Sequence, residues 1–244
     1  LLDQKAFIEG ARCFTYWTAF QADLQHKSPE DEVREKSSDY MALLTPVVKA
    51  YLTHKGYECA NWALQLHGGS GFTREWGMEQ IVRDCRITTI YEGTNGVQAL
   101  DLVGRKLAAN GGRAVFSFFS DIDEFIAANE GNEEMTLFVE GLQKIKGELQ
   151  EGTMWLMQNG MSDFNNAGAS SHDYLHLFGL TALAYMWAQM AKIALENKGS
   201  EPYYEQKLVT GRYFVERLLP DGAAHLAKVK TGAAPLMDLE VDAF

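Results

Sequence analysis

The sequence predicts an all-α protein. Three observations carry that reading. Apolar residues recur at three- and four-residue intervals through most of the 244 residues, no alternating strand or hairpin pattern interrupts them, and Gly, Asn and Pro gather where the periodicity stops. With 46% apolar residues, the chain has ample material for a packed core. The expected architecture is an antiparallel four-helix-bundle-type domain over residues 1–109, incomplete at its N-terminus, followed by an appended helical domain over residues 110–244.

The first helix follows from Phe7, Ala11, Phe14, Thr18 and Ala22, with Leu24 extending the stripe. Ser28-Pro29-Glu30-Asp31 then reads as a helix start: a capping Ser, a Pro in the first turn and acids at the positive end. A long second helix is expected from about Glu30 to Leu66, with Tyr40, Leu44, Val47, Tyr51 and Ala60 inward and a kink at Thr45-Pro46. The loop His67-Gly68-Gly69-Ser70-Gly71-Phe72 ends it. A short helix over Glu75–Arg86 points Met78, Ile81 and Val82 inward, and Ile87–Tyr91 is read as a tight connection despite its β-branched residues. From Thr94 a further helix carries Val97, Leu100, Val103, Gly104 and Leu107 and stops at Asn110-Gly111-Gly112, the best domain boundary in the chain. Beyond it, helices are expected at about 113–129, 133–159, 171–197 and 201–218. They are punctuated by Asn159-Gly160, Asn165-Asn166-Ala167-Gly168 and Lys198-Gly199-Ser200, and the tail from Thr231 to Phe244 is read as irregular.

Composition excludes several functions. A formal net charge of −11 is the wrong sign for backbone-driven nucleic-acid binding. No run of 18 apolar residues suggests a membrane span. Cys13, Cys59 and Cys85 are odd in number and far apart, so reduced thiols are expected. The opening residues Leu1–Lys5 show no signal-peptide pattern and read as the middle of a helix, so the native product is expected to be longer.

Unusual features concentrate between Gln65 and Gln98. Two glycine-bearing turns, 67–71 and 92–96, flank a short helix, and glycine lets a backbone approach a ligand closely. The first is not a dinucleotide fingerprint, because a helix rather than a strand precedes it. Glycines alone would fit ordinary helix–helix turns. The combined string is more specific: Gln65-Leu66-His67-Gly68-Gly69-Ser70-Gly71-Phe72-Thr73, then Val82-Arg83-Asp84, then Ile90-Tyr91-Glu92-Gly93-Thr94-Asn95 and Gln98. In order, spacing and identity it resembles the acyl-CoA dehydrogenase family signature, over roughly residues 1–109.

That resemblance implies an FAD enzyme that oxidises an acyl-CoA thioester to the 2-enoyl-CoA. A carboxylate removes the α-proton, the β-hydrogen leaves as hydride to the flavin, and an electron-transferring flavoprotein accepts the electrons. The base would be Glu92, with Tyr91, Glu92 and Gly93 against the substrate. Gln65, Gly68 and Gly69 would approach the adenosine end of an FAD held mainly by a neighbouring subunit, and Thr94 and Asn95 its diphosphate. A shared cofactor implies at least a homodimer, and the bacterial subgroup implies a cytoplasmic protein. Physical chemistry asks the same of Glu92, since a weakly acidic proton needs a base in dry surroundings with donors for the developing oxyanion. The simpler role for Glu92 is to stabilise a helix N-terminus.

One departure is Gly96, where family members carry a polar side chain. Arg83 and Asp84 are read as a structural pair. Residues 110–244 are similar to the C-terminal extension of a bacterial subgroup. Within them His172 and His176 share a helix face at i, i+4, but no HExxH pattern or third ligand accompanies them, so no metal is expected and packing is preferred. Tyr174, Phe178, Tyr185, Met186, Trp187 and Met190 are read as core or interface. Two rival functions remain: a helical oligomerisation and cofactor-clamping module without activity of its own, and an acyl-CoA oxidase.

Overall fold

In the computed structural model, which describes residues 1–160 and 162–243, ten α-helices joined by short 3₁₀ and π-helical turns make up the described chain, with no strand among the described residues. Met161 and Phe244, the last residue of the expected irregular tail, lie outside the described residues. The all-α expectation holds.

Helix α1 (Leu2–Lys27) buries Phe7, Ala11, Phe14 and Thr18, the stripe read from the sequence. Three residues turn the chain into α2 (Asp31–Leu66), so the two helices run antiparallel. The expected cap is displaced. Ser28 closes α1, its N–H donating to Leu24 O at 3.1 Å, while its Oγ accepts from the N–H of Glu30, the N-cap of α2. Pro29 therefore precedes the helix instead of opening it. Helix α2 continues through a buried Pro46 for 36 residues.

Two 3₁₀ turns, Gly68–Phe72 and Arg74–Trp76, lead to α3 (Met78–Ile87). Gly71 is required here, because a Cβ would lie 2.5 Å from Leu64 O. Helix α3 contains no buried residue, and Ile81, expected inward, is 48% exposed. Its amphipathic pattern is real but the face meets solvent in this chain. Asp84 accepts from Gln80 at 2.7 Å, which replaces the expected pairing with Arg83. Helix α4 (Asn95–Asp101) passes into a π-helical turn over Leu102–Lys106. The segment then stops at Asn110, Gly111 and Gly112, all with positive φ, as the expected C-terminal stop requires.

The remaining helices are α5 (Arg113–Asn129), α6 (Thr136–Asn159), α7 (Phe164–Glu196), α8 (Pro202–Tyr213), α9 (Asp221–Thr231) and the short α10 (Ala234–Met237). Three differ from the sequence reading. Helix α7 begins seven residues early, because Asp163 caps it by accepting from Asn165 N–H at 2.9 Å, so Asn165–Gly168 form its first turns. Helix α9 was not foreseen, and α10 adds one helical turn to the tail expected to be irregular.

Helix α7 is the centre of the molecule. Its middle is buried around the whole circumference, every residue from Tyr174 to Ala184, although its ends carry exposed polar residues. It packs against α1, α2 and α4 and against α6, α8 and α9. Phe118 of α5 stacks on Phe178 at 5.2 Å between ring centroids, and Tyr40 of α2 meets Phe118 edge-on. Buried side chains from both halves of the chain thus join one apolar cluster. Polar ties also cross between helices: Ser170 Oγ donates to Val229 O, Thr153 bonds the Tyr174 hydroxyl, and Tyr40 Oη donates to Asp121.

Candidate active site

The segment from Arg86 to Gln98 is a succession of turns pinned at several points. Thr89, itself buried, takes a hydrogen bond from the Arg86 guanidinium, which lies over the Tyr57 ring of α2. The carbonyl of Thr89 accepts from Asn95 N–H at 3.1 Å, closing the loop that carries Glu92. Thr94 is the N-cap of α4, its Oγ1 accepting from Val97 N–H at 3.3 Å.

At the tip, Glu92 has φ 53°, a left-handed conformation uncommon for a residue with a side chain, and Gly93 follows at φ 82°. The positive φ is what favours glycine at 93; a Cβ there would also come within 2.8 Å of Gln98 Nε2, the mobile end of a flexible side chain. Holding such a backbone costs on the order of 1–3 kcal/mol and requires surrounding contacts that over-determine it. Lys49 of α2 supplies them, donating to Gly93 O and to Asn95 Oδ1, each at 2.7 Å, while Gln98 Nε2 reaches Glu92 O at 3.5 Å. Partial burial holds Lys49 below the usual lysine range, an effect that the nearby Glu92 carboxylate opposes. The N–H groups of Glu92 and Gly93 have no hydrogen-bond partner among the described residues, so both can donate to a ligand.

Asn95 behaves differently from the expected cofactor contact. Only 4% exposed, its side chain accepts from Lys49 and bonds Thr53, while its Nδ2 also donates to Ala50 O at 3.2 Å. That amide is committed inside the fold and locks the turn onto α2. Lys49 and Thr53 were missed by sequence reasoning. Each lies more than forty positions from its partner in the chain, and a polar residue on a long helix carries no signal of which turn it will meet.

Tyr91, Glu92, Gly93 and Thr94 are exposed, as are Gln65, Gly68 and Gly69. The two groups are not brought together. Gln65 lies twelve residues beyond Thr53 on α2, a rise of about 18 Å. Around both turns lie exposed apolar side chains, among them Trp62, Phe72, Trp76, Ile90, Tyr91 and Val97. Nothing lies within 4 Å of where a Cβ would stand on Gly68, Gly69 or Gly96, so the backbone there is open to a ligand. The residues present suit one wall of a dinucleotide site: open glycine backbone, free amides and an apolar face. A cavity of about 430 Å³ lies elsewhere, between Phe7, Tyr51, Trp62, Leu183 and Phe214, and includes none of the expected site residues.

An all-helical chain that presents a carboxylate on a strained, glycine-flanked turn is the class these features define. The chain belongs to the acyl-CoA dehydrogenase family. Residues 1–107 match the family model described as acyl-CoA dehydrogenase, C-terminal domain, and residues 118–240 the one described as acetyl-CoA dehydrogenase C-terminal like. Over 94% of its length the chain is 34% identical to 3-methylmercaptopropionyl-CoA dehydrogenase of Ruegeria pomeroyi, covering 40% of that protein. Over its whole length it is 29% identical to the broad-specificity linear acyl-CoA dehydrogenase FadE5 of Mycobacterium tuberculosis, covering 42% of it. The chain thus spans about two-fifths of the length of these curated relatives. In fold it is similar to the crystal structure of an acyl-CoA dehydrogenase complexed with FAD from Bacillus anthracis, with a TM-score of 0.72 at 19% identity over 93% of this chain and 40% of that one.

Proposed function

We propose that the protein carrying this chain is an FAD-dependent acyl-CoA dehydrogenase that converts an acyl-CoA thioester to the 2-enoyl-CoA, with Glu92 as the base. The observation that carries this reading is the left-handed Glu92, seated between free backbone amides and tied through Gly93 to Lys49. Two relatives bear dehydrogenase names, and the Bacillus anthracis neighbour is described as complexed with FAD. FAD, when bound, supplies the hydride acceptor. Thr94 and the open glycines at 68, 69 and 96 would hold it, with Gln65 beside them.

The chain's own residues perform the proton step. Glu92 withdraws the α-proton, and its N–H donates to the thioester oxygen as negative charge develops there. Lys49 and Asn95 keep the turn in place, so the carboxylate need not reorganise as the proton moves. Glu92 is exposed in this chain. A base needs a dry site to be effective, so substrate and the remainder of the protein must cover it. We place a second subunit on the same face, which makes the protein at least a homodimer, with an electron-transferring flavoprotein as its acceptor. In this scheme residues 1–109 form the family's helical domain and residues 110–244 an appended one.

The test is Glu92→Gln in the whole protein. Flavin bleaching by acyl-CoA should slow by about 10²–10⁴-fold or more while FAD stays bound. Unchanged bleaching places the base elsewhere. The exposure of Glu92 also favours a second reading, in which the isolated 244-residue chain is only a clamp. Weak FAD binding and no turnover by that chain alone, beside full turnover of the whole protein, is the pattern expected if both readings describe parts of one enzyme.

A further inference from the structure

Three imidazoles from two helices meet where α2 crosses α7. His54 of α2 and His172 and His176 of α7 each offer a ring nitrogen, and the three nitrogens lie within 4.8 Å of one another. His54 Nδ1 and His176 Nε2 are 3.0 Å apart. Ring centroids are separated by 4.4 Å for His172 and His176, 5.1 Å for His54 and His176, and 5.3 Å for His54 and His172. On the sequence, His172 and His176 lack a third ligand. The fold supplies it from 118 residues upstream of His172.

A polar packing cluster explains part of this. The single hydrogen bond between His54 and His176 satisfies one nitrogen on each ring, but His172 has no hydrogen-bond partner among the described residues. A metal explains all three. Zinc binds imidazole nitrogen at about 2.0–2.1 Å in tetrahedral geometry, which separates ligand nitrogens by about 3.3 Å. The His54–His176 pair already stands near that spacing, and a nitrogen of the partly solvent-facing His172 lies within 4.8 Å of both. Residues at i, i+4 share a helix face, so the backbone of α7 needs no change.

The surroundings suit a neutral-ligand site. Burial pushes all three rings below the ordinary histidine value, and a metal would displace the one proton shared between His54 Nδ1 and His176 Nε2. Beside them, Asp173 accepts from His225 Nδ1 at 2.8 Å, and the His225 ring centroid is 5.4 Å from that of His176. His172 is exposed, which leaves an entry path. Lys49, Lys55 and Lys228 are the nearby cations and Glu58 a nearby anion, with Lys228 itself 3.5 Å from Asp173.

We propose that His54, His172 and His176 form a three-histidine site for a divalent transition metal of the zinc, cobalt and nickel type, with a fourth position open to water beside His225. Its role is to staple α2 to α7. His54 follows Thr53, whose hydroxyl bonds Asn95, so the staple lies directly behind the Glu92 turn. The choice among these metals follows from three borderline nitrogen donors, which disfavour magnesium and calcium.

The experiment uses the intact protein, stripped with chelator and titrated with ZnCl2 by calorimetry and with CoCl2 by visible absorption. One ion per chain is expected, with a cobalt spectrum of nitrogen and oxygen ligation and a thermal midpoint that rises with zinc concentration. His172→Ala, at an exposed position, should fold normally and keep its metal-free midpoint. It should lose zinc affinity by more than the roughly 10–100-fold that outer-shell changes cost. His54→Gln should behave alike. No stoichiometric binding, equal affinity in His172→Ala, or a thiolate-type cobalt spectrum pointing to the cysteines overturns the proposal. None of these outcomes depends on the identity of the catalytic base.

Discussion

Lys49 Nζ lies 2.7 Å from the carbonyl oxygen of Gly93, so a lysine of the longest helix holds the residue next to the candidate base. Removing that ammonium should loosen the turn without touching Glu92. In Lys49→Met the hydrogen bonds to Gly93 and Asn95 are lost, at a cost of about 1.5–3 kcal/mol for charge-assisted bonds. A lower thermal midpoint together with a fall in kcat is expected. An unchanged midpoint and kcat would show that the turn holds its shape alone.

Asn95→Ala tests the other side of the same contact. Its amide bonds Lys49, Thr53 and Ala50 O while buried, and the truncation leaves those groups unpaired. Roughly 1–3 kcal/mol of stability should be lost, measured by urea unfolding of the whole protein. Asn95→Asp should be milder, because a carboxylate still accepts from Lys49.

Gly179 is where α7 admits the Tyr51 ring of α2. A Cβ at Gly179 would lie 2.3 Å from Tyr51 Cγ, on a ring that is itself buried and unable to withdraw. Gly179→Ala should destabilise by about 1–3 kcal/mol or more through overpacking, although alanine is the better helix former. A stabilised variant would mean that the two helices can separate at no cost.

The fourth prediction concerns acid. Burial alone would raise Glu9, but hydrogen bonds and charge from Lys207 and Lys5 outweigh it and hold its carboxyl below the usual range. Lys207 is 2.8 Å from Glu9 and Lys5 is 2.6 Å away, so the group ties α1 to α8. A folded value below the unfolded one gives stability that is present above the ordinary glutamate pKa of 4.5 and lost as pH falls through the folded value. Glu9→Gln should therefore be less stable than the parent at pH 7, and the gap should narrow as pH drops below 4.5. A gap independent of pH would assign the effect to packing.

The helices were legible wherever one face of the chain is apolar and the other polar, as in α1 and α2. The Glu92 turn was legible because its residues are adjacent in the sequence. Two kinds of feature were not. Helix boundaries failed at Asn165–Gly168, where residues typical of loops are helical because Asp163 caps ahead of them and Ala167 is buried. Burial failed at Ile81, since periodicity marks an apolar face without saying what it meets. Long-range polar pairs such as Lys49 with Gly93 and His54 with His176 leave no local trace. Only the packing of α2 against α4 and α7 creates them.

The uniformly buried middle of α7 has a consequence for how this protein can drift. A helix with a solvent face tolerates change on that face, so a saturation scan of α1 or α2 should give intolerance in stripes that repeat every three or four positions. From Tyr174 to Ala184 there is no such face. The same scan should give an unbroken band there, three turns long, and replacements that succeed should keep side-chain volume and arrive together with compensating changes in α2 or α6.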